Sequence, residues 1–429
     1  MKLERFNTIP WKVLLIGLAI RLLCMPFTAN SDLLYTYWDA HQIAYHHQQV
    51  GFQFVSNYLH AGYLWLITSL LPPIDTIWVH LVENPELNPY LGLQVTSLQG
   101  WFDFINQSHV YRTLFLLKLP YLLFDLGCAY LLYKMGSDRL SSRRIFTFWW
   151  LNPIVIFAVY IFGRHEVIAL FLIVLSLFLI KQEKYILGIL TLVLAMAIRY
   201  YAIFLLPFFI FSIYPTWRKR LILLFAGILF LLAINLLGLV LFGFIDIGSL
   251  VNLPHSNYLL SLKLPIAPWD NLYIFPMVYI LLLLHRIYNL ECNQDSLVRY
   301  SLVVLLILFA TAYSGQSPHY WTWFLPLLAV VIAEDRDLIP LHIAQIICLV
   351  GYSMLGGRST AGYLFAPISP EFFWSLPSPV EILQRFGSPE AVISLARTAF
   401  SAVSLWMSFM VFHRIKTTYL FDIKQDRAV

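Results

Sequence analysis

The sequence predicts an all-α, polytopic membrane protein, with about twelve helices joined by short connectors on one face and by long loops holding interfacial helices on the other. Three observations carry this. Hydrophobic residues make up 60% of the 429 positions and charged residues only 12%. The apolar residues fall in blocks close to the length of a bilayer crossing. Basic residues collect between the blocks, as the positive-inside rule requires. The formal charge of +5 therefore sets orientation and gives no nucleic-acid signal. Cys24, Cys128 and Cys348 sit in apolar blocks and Cys292 in a polar connector, a spacing that implies neither a disulfide framework nor a zinc site.

The first helix is expected over Trp11–Phe27, following Lys2, Arg5 and Lys12. No small-residue cleavage site follows it, so it reads as an uncleaved span with its N-terminus inside. Arg21 lies in its outer half and either snorkels or faces a polar cavity. Residues 29–110 form the first outer segment, too polar and too interrupted by Pro and Gly for regular spans. Within it the apolar run 58–71 is short for a crossing and reads as interfacial. Spans follow at 111–135, 146–162 and 167–180, with Arg139, Arg143 and Arg144 inside and the turn Gly163-Arg164-His165-Glu166 outside.

Residues 185–211 have cytoplasmic-looking flanks, Lys184 before them and Arg218-Lys219-Arg220 after, while Arg199 interrupts their middle. Two short helices meeting near the outer face solve this, since broken spans are tolerated where they line a wet cavity. Further spans are expected at 221–242, 272–284, 302–313, 323–333, 341–355 and 391–412. Outer loops fall at 243–270 and 356–389, and both termini lie inside. No soluble domain, repeat or nucleotide-binding glycine loop interrupts this single membrane domain of residues 1–429.

Chemistry is expected where long loops and intramembrane charges converge. The stretch Ser31 to Ala40 places Asp32 and Asp39 just beyond the first helix, where a carboxylate can deprotonate a hydroxyl at the water–lipid boundary. The plainer reading makes Asp32 the N-cap of a surface helix. Arg199 is a candidate for holding a phosphate. A metal set of Asp39, His46 and His47 is conceivable, but adjacent histidines point different ways on a helix. No metal or other cofactor is expected.

The order of these features resembles the GT-C superfamily of integral-membrane glycosyltransferases, nearest to its polyprenol-dependent mannosyl- and hexosyltransferases. The resemblance rests on Asp32 with Tyr35, Tyr37 and Trp38 after the first helix, on Asn152-Pro153 with Gly163-Arg164-His165-Glu166, and on Ser317-Pro318-His319-Tyr320 followed by Trp323, Leu325 and Pro326. Many relatives carry Asn-Asp or Gln-Asp where this chain has His165-Glu166.

The resemblance implies transfer of a hexose, mannose favoured, from a polyprenyl-phosphate carrier to a lipid or glycan hydroxyl. The chemistry would be inverting and metal-free, with Asp32 as general base and Asp39 or Glu166 as further catalytic carboxylates. The resemblance also implies Arg358, Arg164 and His319 as further phosphate ligands beside Arg199, and Tyr35, Trp38, His165, Gln316 and Tyr320 as the lining of the substrate pocket. The site would open on the outer face of a prokaryotic plasma membrane or the luminal face of the ER. A secondary transporter or lipid flippase is the rival from another class, and a polysaccharide polymerase or ligase the rival within enzymes.

Overall fold

In the computed structural model, residues 9–46, 54–71, 104–214, 216–242, 256–289, 293–313, 318–353, 362 and 364–415 are described. They are mostly helical. The chain begins with α1 (Trp11–Phe27), turns sharply into α2 (Ser31–His46) and continues as α3 (Phe54–Ile67), which packs beside α2. The expected Asp32 cap moves by two residues, because the Asn30 side chain accepts from the Asp32 backbone N–H. Asp32 therefore lies not at the cap but in the first turn, where a carboxylate also suits the helix dipole.

Next come α4 (Val110–Met135), α5 (Arg139–Trp150) and α6 (Pro153–Ile156), the last running into a π-helical turn at Phe157–Ile161. Asp138 caps α5 by accepting from Leu140 and Ser141 N–H, and these bonds hold its carboxyl below the usual range. Asn152 caps α6, and the two halves meet at a 41° bend where a straight span was expected. α7 (Glu166–Lys181) and α8 (Tyr185–Ile198) pack closely as a hairpin. α8 ends at Arg199, which is extended, and a 3₁₀ segment Tyr200–Leu205 leads into α9 (Leu206–Ile213). The remainder is α10 (Trp217–Phe242), α11 (Ser256–Leu259), strands β1 (Lys263–Ala267) and β2 (Asp270–Tyr273), α12 (Ile274–Tyr288) and α13 (Gln294–Leu308). A π-turn at Phe309–Tyr313 and a 3₁₀ turn at Pro318–Thr322 precede α14 (Leu325–Glu334), α15 (Leu338–Ser353), α16 (Pro370–Ser375), α17 (Pro379–Gln384) and α18 (Pro389–His413).

Two expectations change. Among the described residues four helices are long and apolar enough to cross a membrane, or six if each bent pair counts as one span, against the twelve expected. Several apolar blocks resolve into helices of 14 to 16 residues, short of the roughly 20 needed to span hydrocarbon alone. The fold is also not purely α, since β1 and β2 pair antiparallel as a hairpin.

Pro120 organises the packing of α2 and α3. Lacking an N–H, it leaves the Leu116 carbonyl without its usual helical donor and crowds the turn before it. Tyr63 of α3 donates to Leu116 O at 2.7 Å, and Tyr37 of α2 to the neighbouring Leu117 O at 2.6 Å. Both helices are thus hooked onto α4 by hydroxyls that meet carbonyls at its kink, as buried backbone oxygens at membrane depth require.

Below this lies a fully buried ion pair, Arg21 Nε to Asp125 Oδ2 at 2.7 Å. Trp149 Nε1 and Tyr160 OH each donate to Asp125 at 2.7 Å, while Arg21 donates to Gly17 O and Trp150 O and lies 3.6 Å over the Trp150 ring. Arg21 thus neither snorkels nor faces a cavity. Gly17 is needed for this approach, because a Cβ there would sit 2.3 Å from Trp150.

Candidate active site

Three chain breaks build the site. The first is the π-turn, whose wide register leaves Tyr160 O outside the helix ladder. Thr28 Oγ1 donates to it at 2.9 Å and Lys118 Nζ at 2.7 Å, and Lys118 also reaches Thr28 O and Oγ1. One buried ammonium therefore ties the end of α1, four residues before Asp32, to the π-turn, four residues before Arg164. Gly163 then turns the chain at φ +79°, with Leu33 and Lys118 beside it. A Cβ at this position would lie 3.2 Å from Leu33 Cβ, so Gly163→Ala is expected to lower stability by about 1 kcal/mol or more, measured as thermal unfolding in detergent. The other two breaks are the extended Arg199 after α8 and the 3₁₀ turn at Pro318–Thr322, which presents His319 and Tyr320.

These breaks converge on one cluster. Arg164 Nη1 lies 3.3 Å from Asp32 Oδ2, and Arg164 Nε lies 3.7 Å from Glu166 Oε2. Arg199 Nη2 lies 2.6 Å from Glu166 Oε1, and His319 Nε2 lies 3.4 Å from the same oxygen. The two carboxylates differ in access. Asp32 is partly open, with a quarter of its side chain exposed, while Glu166 is enclosed. A base must reach its proton donor, so Asp32 suits that role. Glu166, gripped by two guanidiniums and an imidazole, suits holding those groups at fixed spacing. Two carboxylates against two guanidiniums leave the cluster balanced before any ligand charge is added.

Around the cluster stand buried polar groups with no hydrogen-bond partner among the described residues: Tyr35 OH, both ring nitrogens of His165, and Tyr201 OH. His165 packs edge-on against the ring of His60, 5.1 Å between centroids, and His60 in turn meets Tyr121 OH at 3.0 Å. Tyr320 lies 4.4 Å from the His319 ring and 4.6 Å from that of Trp323, which stacks on Tyr201 at 3.9 Å. Leaving such groups unpaired costs about 1–3 kcal/mol each, a pattern suited to a ligand rich in hydroxyls.

The remaining candidates stand apart or unplaced. Asp39 is two turns further along α2, roughly 10 Å from Asp32 on the helix axis, and makes no ion pair among the described residues. Trp38 stacks on His41. Arg358, Gln316 and His47 lie outside the described residues. Among the described residues no group of three or more His, Cys, Asp or Glu could hold a metal ion. Lys118 was not singled out by the sequence, although a lone lysine in an apolar block is itself a signal.

Comparison with known proteins adds no relative: no family model, no curated protein and no solved structure matches this chain.

Proposed function

We propose that the chain is a membrane glycosyltransferase that moves a hexose, mannose favoured, from a polyprenyl-phosphate carrier to a lipid or glycan hydroxyl. One observation carries the reading: a partly open carboxylate, Asp32, sits against a buried Arg164–Glu166–Arg199–His319 cluster ringed by partnerless hydroxyl and imidazole groups. A sugar phosphodiester offers many hydroxyls to these groups, and its phosphate would share Arg164, Arg199 and His319 with the two carboxylates.

In this reading Asp32 takes the proton of the acceptor hydroxyl, whose oxygen attacks the anomeric carbon with inversion. The carbon–oxygen bond to the phosphate breaks and the lipid phosphate leaves. Arg199, Arg164 and His319 stabilise the charge that grows on it, as donors fixed in place before the reaction. Arginine and histidine supply this stabilisation, so the step calls on no metal. Counting crossings from an inside N-terminus puts both Asp32 and the Gly163 turn on the outer face, where the carrier's headgroup would enter.

Arg199→Lys tests the phosphate assignment, because lysine keeps the charge opposite Glu166 and loses the planar fork. KM for the lipid-linked donor should rise about tenfold or more while acceptor KM stays near its wild-type value. Equal losses for donor and acceptor would assign Arg199 to bracing Glu166 alone.

A further inference from the structure

The hairpin β1–β2 presents an apolar edge that the chain itself leaves open. Leu264 pairs directly with Leu272 across the strands, which puts these two on one face, and Ile266 follows in a bulge between the Pro265–Asn271 and Ala267–Asp270 pairs. Leu264 is 54% exposed, Ile266 67% and Trp269, in the connecting turn, 87%. An isolated two-stranded hairpin is marginal in water and needs a surface to pack on.

Its place in the fold says which surface. β2 runs directly into α12, and Ile274 N–H bonds back to Leu262 O at 3.1 Å. α12 turns Ile280, Leu281 and Leu284 outward, and α10, which precedes the hairpin in the chain, exposes Phe225, Leu229, Leu232, Leu236 and Val240. Both helices thus carry outward apolar surface suited to lipid, and the hairpin joins directly onto one of them. α11, just before β1, packs on the π-turn Phe309–Tyr313, so the hairpin stands at the end of the bundle from which the chain proceeds to His319. Tryptophan at a water–lipid boundary is favoured because its ring is apolar and its N–H remains wet. Lys263 and Asp270 are exposed beside it.

We propose that this hairpin lies in the interfacial layer of the membrane, at the same end of the bundle as the candidate site, with Leu264, Ile266 and Trp269 against phospholipid. Its occupant is the bilayer's headgroup and upper acyl region; a second copy of the chain or another protein would leave a different signature.

The test compares the full chain with its Trp269→Phe variant in nanodiscs of phosphatidylcholine, either unbrominated or brominated near the ester end or the methyl end of the acyl chain. Trp269 is so exposed that the variant is expected to fold, and matching circular dichroism would verify this. The fluorescence difference between the two proteins isolates Trp269. It should lose most of its intensity with ester-end bromine and much less with methyl-end bromine. Insensitivity to both lipids with ready quenching by acrylamide would place the hairpin in water and overturn the proposal. Shielding from both lipids and acrylamide would mean a protein occupant and would overturn it equally. Stronger quenching by methyl-end bromine would contradict the interfacial depth.

Discussion

Asp32→Asn should abolish transfer while the protein remains folded and membrane-inserted. The amide keeps the side chain's shape and its place in the first turn of α2, but it cannot accept a proton. Loss of a positioned base costs about 10²–10⁴-fold in rate. The substitution also removes the charge facing Arg164 at 3.3 Å. That pair is partly solvated, so its loss should cost little stability, and unfolding midpoints should separate the catalytic effect from a structural one. Asp39 offers the control. It lies on the same helix without joining the cluster, so Asp39→Asn should retain activity. The opposite pattern, with Asp32→Asn active and Asp39→Asn dead, would move the base two turns along α2.

The largest stability loss is expected at Arg21. Arg21→Met leaves Asp125 fully buried without its cation, with only Trp149 and Tyr160 donating to it. Breaking one side of a buried pair costs about 3–5 kcal/mol, and the bilayer offers no water to relieve it. The double variant Arg21→Met, Asp125→Leu should be less destabilised than the sum of the two single variants, because neither partner is then left stranded. Denaturation in mixed detergent would measure all three proteins. Additive losses would mean that the two residues act independently.

The legible part of the fold was what depends on local pattern. The bounds of α1, the interruption at Arg199 and the polar Gly163 turn all follow from apolar run length and from a charge or glycine inside a run. What escaped was long-range pairing. Nothing near Tyr37 or Tyr63 in sequence announces that each donates to a carbonyl beside Pro120, although a proline inside a long apolar block does announce freed backbone groups. Asp125 looks like an isolated intramembrane acid until Arg21, 104 positions earlier, is brought beside it. The hairpin was hidden because residues 243–270 read as a polar loop, yet Leu264 and Ile266 alternate with Lys263 and Pro265, which is the strand period. Among the described residues Pro153 breaks the block expected as the single span 146–162, and four to six helices are long and apolar enough to cross a membrane against the twelve expected.

For the site, the residue types were legible and their division of labour was not. Two carboxylates near one turn look equivalent in sequence. In the structure Glu166 is enclosed by Arg164, Arg199 and His319 while Asp32 keeps an open face, a difference in burial that residue type does not carry. Tyr35 and His165 were expected to line a pocket and Tyr201 was not, and only the packed structure leaves the polar atoms of all three without a hydrogen-bond partner among the described residues.

The central claim is best tested by giving the purified protein, in liposomes, a polyprenyl phosphate carrying a radiolabelled hexose, mannose first, together with a membrane glycolipid extract as acceptor. The account predicts that label leaves the carrier and appears on an acceptor with inverted anomeric configuration in the wild type, and that it stays on the carrier with Asp32→Asn. A carrier that keeps its sugar but crosses between leaflets, equally in the wild type and in Asp32→Asn, would contradict transfer and make the chain a flippase.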